Sequence, residues 1–208
     1  MISKGFFITF EGIDGSGKST QAKLLADNLV HKGHDVLLTR EPGGSTGAEQ
    51  IRALVLEGDP DRWSPETEIL LFTAARRDHM ENVILPALEK GKIVICDRFA
   101  DSTRMYQGLS RGDLRDIVDT LTALMIQQEP DLTLLIDMDP YMGHSRAKSR
   151  ATKEERFEDF GVSLQEKMRA GFIKLAKEFS ERIHVIDGTQ DINSVHTKVC
   201  DLVQDAIK

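Results

Sequence analysis

Cysteine is scarce in this chain. Only Cys96 and Cys200 occur among its 208 residues, and neither belongs to a CxxC pair. The sequence therefore gives no case for a disulfide framework or a thiolate metal site, and we expect a reducing compartment, the cytoplasm. The six histidines show no HExxH or other metal-ligand spacing, so we expect them at the surface or in packing, with no structural metal.

Long apolar runs and an excess of positive charge are also missing. No run approaches the roughly 18 apolar residues of a membrane span, and residues 1–10 do not resemble a secretory signal. The formal net charge of −7 argues against a broad basic surface for nucleic acid, although a local basic patch can still hold phosphate. With 40% hydrophobic and 29% charged residues, the composition is that of a globular protein, and the length suits a single domain over residues 1–208.

Short apolar runs rich in β-branched residues alternate with helical periodicity along the chain. The runs lack polar alternation, which is typical of strands buried on both faces and connected by helices. We predict strands at 6–10, 36–39, 93–96, 132–136 and 183–186, and helices at 18–31, 47–56, 65–89, 114–128, 141–150, 163–181 and 192–207. The pattern predicts an α/β fold in three layers, a five-stranded parallel sheet flanked by helices on both sides.

A phosphate-binding motif follows the first predicted strand. The segment Gly12-Ile13-Asp14-Gly15-Ser16-Gly17-Lys18-Ser19 fits GxxxxGK[ST] and runs directly into a predicted helix. Glycines let the backbone amides wrap around phosphate, Lys18 can span the β- and γ-phosphates, and Ser19 can bind Mg²⁺. A flexible Gly-Ser turn is the alternative, but strand, loop and helix occur in the required order. We therefore predict an ATP or GTP site made of residues 12–20, which adds Thr20 to the motif.

The P-loop alone does not show which class of nucleotide-binding protein this is, so other segments of the sequence have to. A guanine-reading NKxD motif is missing, and the chain is shorter than motor ATPases usually need. At the end of the third predicted strand, Arg98 offers a planar fork for a substrate phosphate, and Asp97 can orient that fork or reach Mg²⁺ through water. The alternative is a buried Asp-Arg pair that closes the strand.

Phe72 and Arg76 lie one turn apart on the third predicted helix. A phenyl ring can stack on a nucleobase while a guanidinium donates to its carbonyl. Periodicity alone favours a different interpretation, in which Phe72 is a core aromatic in one stripe with Ile69 and Val83. The spacing does not decide between them.

Three segments together resemble the thymidylate kinases (dTMP kinases). They are Thr39-Arg40-Glu41-Pro42-Gly43-Gly44-Ser45-Thr46, Leu71-Phe72-Thr73-Ala74-Ala75-Arg76 and the run from Asp97 to Gly108 that contains DRxxxSxxYQG. Adenylate, guanylate and cytidylate kinases share the P-loop but not these segments together. The resemblance runs from residue 5 to about residue 190. It implies a P-loop NTPase-type fold, a homodimer, and transfer of the γ-phosphoryl group of Mg-ATP to dTMP.

The resemblance also implies a role for each acceptor residue. Phe72 stacks on thymine, Arg76 bonds O4 of the base, and Arg98 holds the dTMP phosphate. Thr103 and Pro42 lie by the base, Tyr106 crowds the sugar C2′ position, and Asp14 lies near the sugar 3′-hydroxyl or the metal. The implied dTMP-binding set is Asp14, Arg40, Glu41, Pro42, Phe72, Arg76, Arg98, Ser102, Thr103, Tyr106 and Gln107.

A mobile lid is the last feature that the resemblance implies, at about residues 146–160. Residues 146–156 carry five basic side chains against Glu154 and Glu155, a pattern that a solvated helix face also shows. Because the variable P-loop positions contain no basic residue, we expect Arg150 and Arg156 to be catalytic beside Lys18 and Arg98. Arg146 is expected to pack on adenine, and Ser19 and Asp97 to hold Mg²⁺.

Two other functions remain open from sequence. A deoxynucleoside kinase would use the same P-loop but phosphorylate a sugar hydroxyl, which requires a carboxylate base. A nucleotide-sensing module would bind ATP without turning it over, and that reading leaves the thymine-binding segments and the lid arginines unexplained.

Overall fold

The computed structural model describes residues 5–59, 62–109, 112–148 and 161–207. No helix within these ranges combines the length and apolar character that a membrane crossing requires. Of the predicted site residues, Arg150 and Arg156 lie outside the described residues, as does most of the predicted lid.

A five-stranded parallel sheet forms the centre of the molecule, as predicted. Its strands are β1 (Phe6–Glu11), β2 (Val36–Arg40), β3 (Ile93–Asp97), β4 (Leu132–Asp137) and β5 (Ile183–Asp187), in the spatial order β2-β3-β1-β4-β5. Every strand extends one residue beyond its predicted end, because a polar residue that still pairs follows each apolar run. These polar residues meet at one edge of the sheet, where ligands gather in open parallel sheets.

Helices connect the strands on both faces. They are α1 (Lys18–His31), α2 (Thr46–Leu56), α3 (Pro65–His79), α4 (Leu85–Glu89), α5 (Ala100–Tyr106), α6 (Arg115–Leu121), α7 (Pro140–Lys148), α8 (Gly161–Glu178) and α9 (Ile192–Ala206). A π-helical turn, Met80–Ile84, joins α3 to α4, so the long helix predicted at 65–89 is continuous. A second π-helical turn, Thr122–Ile126, extends α6.

Helix α5 was not predicted. It has seven residues, and the first six of them are buried, including Asp101 and Arg104. A helix enclosed on all sides has no apolar stripe against a polar face, so the periodicity that reveals an amphipathic helix is missing.

Alternating side chains of the central strand hold the three layers together. Ile8 and Phe10 pack against α1 and α9 on one face of the sheet. Phe7 packs against α4 and the π-helical turn before it on the opposite face. Burying each such side chain contributes about 1.5–3 kcal/mol, so β1 is anchored from both sides and the loop that follows it starts from a fixed point.

Candidate functional site

The loop between β1 and α1 is shaped as an anion cradle. Gly17 precedes α1 with φ +97° and no side-chain cap, whereas serine side chains cap α2 and α3. Gly15 has φ +77°, and a Cβ there would lie 2.0 Å from the carbonyl oxygen of Gly143 in α7. The first turn of α1 also carries no acidic residue, so its free amides and positive dipole end remain available to an anion.

Lys18 lies at the floor of this cradle and is only 6% exposed. Its Nζ donates to the carbonyl oxygen of Ile13 at 3.2 Å and lies 3.8 Å from Oδ1 of Asp14. Burial, and next the positive charge of Arg98, lower the pKa of Lys18 to about 8. Because burial and Arg98 disfavour the charged ammonium, the negative charge of a polyphosphate in the cradle would stabilise it.

Asp14 links the cradle to the end of β3. Its Oδ1 accepts a hydrogen bond from Nη2 of Arg98 at 2.5 Å, and its Oδ2 accepts one from the Tyr106 hydroxyl at 2.8 Å. Burial alone would raise the pKa of Asp14, but the charges of Arg98 and Lys18 outweigh it and lower the pKa to about 2. Lys18 and Arg98 thus face the same carboxylate oxygen, which stays ionised.

Arg98 is held from several sides although its backbone is unfavourable. Its φ is +69°, in the left-handed region that non-glycine residues avoid. Its Nη1 donates to Ser102 Oγ at 2.9 Å and to the carbonyl oxygen of Gly12 at 3.2 Å, and its guanidinium lies 5.0 Å from the centre of the Tyr106 ring. This backbone conformation directs the side chain to the P-loop.

Glu11 fixes α5 from the end of β1. Its Oε1 accepts from the backbone amides of Phe99 and Ser102 at 2.8 and 3.2 Å, and its Oε2 accepts from Ser102 Oγ at 2.6 Å. Ser102 Oγ is in turn the acceptor for Arg98. Burial, and next the negative charge of Asp101, raise the pKa of Glu11 to about 7.

This raised pKa makes part of the stability depend on pH. The unfolded chain releases the Glu11 proton near 4.5 and the folded chain near 7, so the contribution is complete below pH 4.5 and is lost as pH rises through 7. In Glu11→Gln the amide oxygen can still accept from Phe99 and Ser102, but the side chain no longer titrates. The free energy of unfolding of the wild-type protein should fall by roughly 1–3 kcal/mol as the pH rises, and that of Glu11→Gln should not. Urea denaturation at pH 5 and at pH 8 measures it. Parallel pH profiles for both proteins would contradict the assignment.

A cavity opens beside Arg98, between α2, α3 and α5. Its lining consists of Asp14, Glu41, Pro42, Arg52, Leu56, Phe72, Arg76, Arg98, Phe99, Ser102, Thr103, Tyr106 and Gln107. Phe72 and Arg76 lie together in this lining. Phe72 is 9% exposed and counts among the buried hydrophobic residues, so it is packed in the fold and also lines the cavity.

Arg76 presents a fixed guanidinium to this cavity. It is 3% exposed, its Nε donates to Glu41 Oε2 at 2.7 Å, and its Nη2 donates to Thr103 Oγ1 at 3.0 Å. Its guanidinium carbon lies 5.0 Å from the centre of the Phe99 ring. These contacts hold the remaining N–H donors in one orientation.

Most of the predicted acceptor residues line this one cavity, but Arg40 does not. Arg40 is half-exposed, and its guanidinium pairs with Glu49 at 3.0 Å. Ser19 and Thr20 lie exposed in the first turn of α1, and Arg146 lies exposed on α7. Asp97 ends β3, and its Oδ1 is buried with no hydrogen-bond partner among the described residues.

Sequence reasoning missed three residues of the cavity: Arg52, Leu56 and Phe99. Arg52 and Leu56 are four positions apart on α2, and Arg52 donates to the carbonyl oxygen of Pro42. Their spacing is that of one helix face, a signal present in the sequence. Which way that face points depends on the packing of α2 against α3, which no local pattern shows.

The chain is similar to thymidylate kinases over nearly its whole length. The thymidylate kinase family profile matches residues 10–199. The thymidylate kinase of Ruegeria pomeroyi is 70% identical over 203 residues, covering 98% of this chain and 96% of that protein. The thymidylate kinase of Caulobacter vibrioides is 47% identical over 203 residues, covering 97% of each. The crystal structure of thymidylate kinase from Ehrlichia chaffeensis has a TM-score of 0.77 at 40% identity, covering 96% of this chain and 98% of that chain.

Proposed function

The chain belongs to the thymidylate kinase family, and we infer that it transfers the γ-phosphoryl group of ATP to dTMP, giving dTDP and ADP. An oxygen of the dTMP phosphate forms a bond to the γ-phosphorus, and the bond from that phosphorus to the β,γ-bridging oxygen breaks. The acceptor phosphate is already ionised at neutral pH, so no general base and no covalent enzyme intermediate are needed. Positioning and charge neutralisation carry the reaction.

One contact supports this proposal more than any other. A single oxygen, Oδ1 of Asp14, faces both the P-loop lysine Lys18 and the strand-end arginine Arg98. A phosphate on Lys18 and a second phosphate on Arg98 would therefore meet end to end, as direct transfer requires. Arg98 also borders the cavity, so the nucleoside attached to the second phosphate has a place to lie.

The cavity suits a thymine base. Phe72 offers a ring for stacking, Arg76 offers N–H donors to the O4 carbonyl, and Thr103 fixes the guanidinium. Tyr106 lies against Arg98 and Asp14, where the sugar would enter, and would crowd a 2′-hydroxyl. Glu41, Pro42, Ser102 and Gln107 complete this acceptor site.

The donor nucleotide belongs in the P-loop, with Arg146 on its adenine. Arg150 and Arg156 are the catalytic arginines of the lid in this proposal. Arginines supplied by a closing segment would neutralise charge that develops on the transferred group and would exclude water.

Ser19 and Asp97 would hold Mg²⁺. Both supply hard oxygen ligands, and the buried Asp97 Oδ1 has no hydrogen-bond partner among the described residues, so the donor set fits this ion. When bound with ATP, Mg²⁺ neutralises phosphate charge. We further propose a single domain that forms a homodimer and works in the cytoplasm on ATP and dTMP, with no nucleic-acid or membrane partner.

An ADP-release assay with several acceptors tests the function. We expect turnover with dTMP to exceed turnover with thymidine, dUMP, CMP and shikimate. A preference for thymidine would indicate a deoxynucleoside kinase instead. Nucleotide exchange without phosphoryl transfer would indicate a nucleotide-sensing module.

The stacking role of Phe72 predicts a selective loss. Phe72→Ala is expected to weaken dTMP binding by roughly 1–3 kcal/mol, the scale of base stacking on aromatics, while the KM for ATP stays nearly unchanged. Steady-state kinetics with each substrate varied in turn measures both. Leu70→Ala is a matched control, since Leu70 lies on the same helix and is 59% exposed. Equal losses for both nucleotides would point to packing.

A further inference from the structure

A fully buried histidine stands behind the base-binding side of the cavity. His79, at the end of α3, is 0% exposed. Its Nδ1 lies 3.1 Å from Oε1 of Glu41, and its Nε2 lies 2.8 Å from Oγ1 of Thr39 in β2. Since an ionised carboxylate only accepts hydrogen bonds, Nδ1 is the nitrogen that donates to Glu41.

Each carboxylate oxygen of Glu41, a residue of the cavity lining, therefore has a hydrogen-bond donor beside it. Oε1 faces His79, and Oε2 accepts from Nε of Arg76 at 2.7 Å. The side chains of Glu41 and Arg76 are 4% and 3% exposed. In such a buried, low-dielectric setting each hydrogen bond is strongly directional, and an unpaired acceptor is costly. Glu41 consequently keeps one orientation as long as His79 donates to it.

We propose that His79 is a positioning residue that sets which pyrimidine the cavity accepts. The proposal rests on the function inferred above, in which Arg76 faces the edge of the base that carries O4. With Glu41 held in one orientation by His79 and Arg76, the cavity offers that edge N–H donors from Arg76, and the carboxylate does not turn toward the base. A carbonyl at pyrimidine C4 is then accepted, and an amino group at C4, as in dCMP, is rejected.

Loss of the His79 donor would undo this selection. Oε1 of Glu41 would become a buried acceptor without a partner, and rotation toward the cavity would let it accept from a C4 amino group. The same rotation would release Nε of Arg76, so dTMP binding would weaken while dCMP binding would strengthen.

Two amide variants separate positioning from packing. Asparagine places its amide nitrogen close to the position of histidine Nδ1, so His79→Asn keeps the donor to Glu41. Glutamine places its amide nitrogen close to the position of Nε2, so His79→Gln keeps the contact to Thr39 and more of the volume. If His79 only fills space, glutamine is the better replacement. If His79 positions Glu41, asparagine is the better replacement.

The measurement is kcat/KM for dTMP and for dCMP, with the KM for ATP and the melting temperature alongside. We expect His79→Gln to reduce the dTMP-to-dCMP preference by about 10- to 100-fold, the equivalent of one unsatisfied buried acceptor. His79→Asn should stay closer to wild type, and the KM for ATP should not change. The control His34→Asn alters an exposed histidine and should match wild type.

The outcomes are distinct. A glutamine variant that is as selective as wild type, or more selective than the asparagine variant, overturns the role of His79. If neither variant folds, Thr39→Val decides. The Thr39 hydroxyl donates to Nε2 and so keeps the ring proton on Nδ1; without it the proton can move to Nε2, and the preference should fall in the same direction. An unchanged preference overturns the proposal. A wild-type protein that phosphorylates neither dTMP nor dCMP refutes the proposed function instead, whatever the variants do.

Discussion

Lys18→Ala will lower kcat roughly 10²–10³-fold, the scale of losing one preorganised donor from a site where charge develops. Lys18 is buried at the floor of the P-loop, and its Nζ shares the Oδ1 of Asp14 with Arg98. In the proposed reaction, negative charge moves to the β,γ-bridging oxygen as the phosphoryl group departs, and an ammonium at this point stabilises it. Steady-state phosphoryl transfer to dTMP measures the loss.

Proton uptake gives a second measurement of the same residue. Burial and the charge of Arg98 lower the pKa of Lys18 to about 8, and the negative charge of a bound polyphosphate would raise it again. Near pH 8, ATP binding to the wild-type protein should therefore take up protons, seen as a binding enthalpy that changes with the buffer. Lys18→Ala should lack this uptake. Lys23→Ala, on the exposed side of α1, is the control, and a Lys18→Ala enzyme with near-normal turnover would refute the role.

The parts of this site that are local in sequence could be predicted, and the contacts between segments could not. The P-loop depends on glycines and a helix start within eight residues, so its pattern is complete in one place. The apolar runs predicted each strand, but they ended one residue short at Glu11, Arg40 and Asp97, because hydrophobicity does not mark a polar residue that still pairs.

His79 shows most clearly why contacts between distant segments could not be predicted from the sequence. As a lone histidine with no ligand spacing, His79 was expected only to pack or to lie at the surface. Its partners Glu41 and Thr39 are 38 and 40 positions away in the chain. Only the packing of α3 against β2 brings them together, and the segments that resemble thymidylate kinases end before His79 on one side and begin after it on the other.

Replacing Arg98 is the second change from which we expect a large effect. It should lower activity, and the glycine and alanine variants should differ in stability. Arg98→Ala and Arg98→Gly should each lower kcat/KM for dTMP by about 10²–10³-fold or more, because the acceptor phosphate loses its charge-assisted partner. Glycine normally destabilises a chain relative to alanine, but Arg98 has φ +69°. At this conformation alanine is strained by roughly 1–2 kcal/mol and glycine is not.

We therefore expect Arg98→Gly to unfold at higher urea concentration than Arg98→Ala, although both variants lose activity to a similar degree. Activity and stability then separate: the loss of turnover follows the guanidinium, and the difference in stability follows the backbone. Arg169→Ala is a matched control, since Arg169 pairs with Asp137 at 2.7 Å at the end of β4 and does not line the cavity. An alanine variant more stable than the glycine variant would show that the left-handed backbone at residue 98 is not maintained by the fold, and turnover near wild type in either would remove Arg98 from the acceptor site.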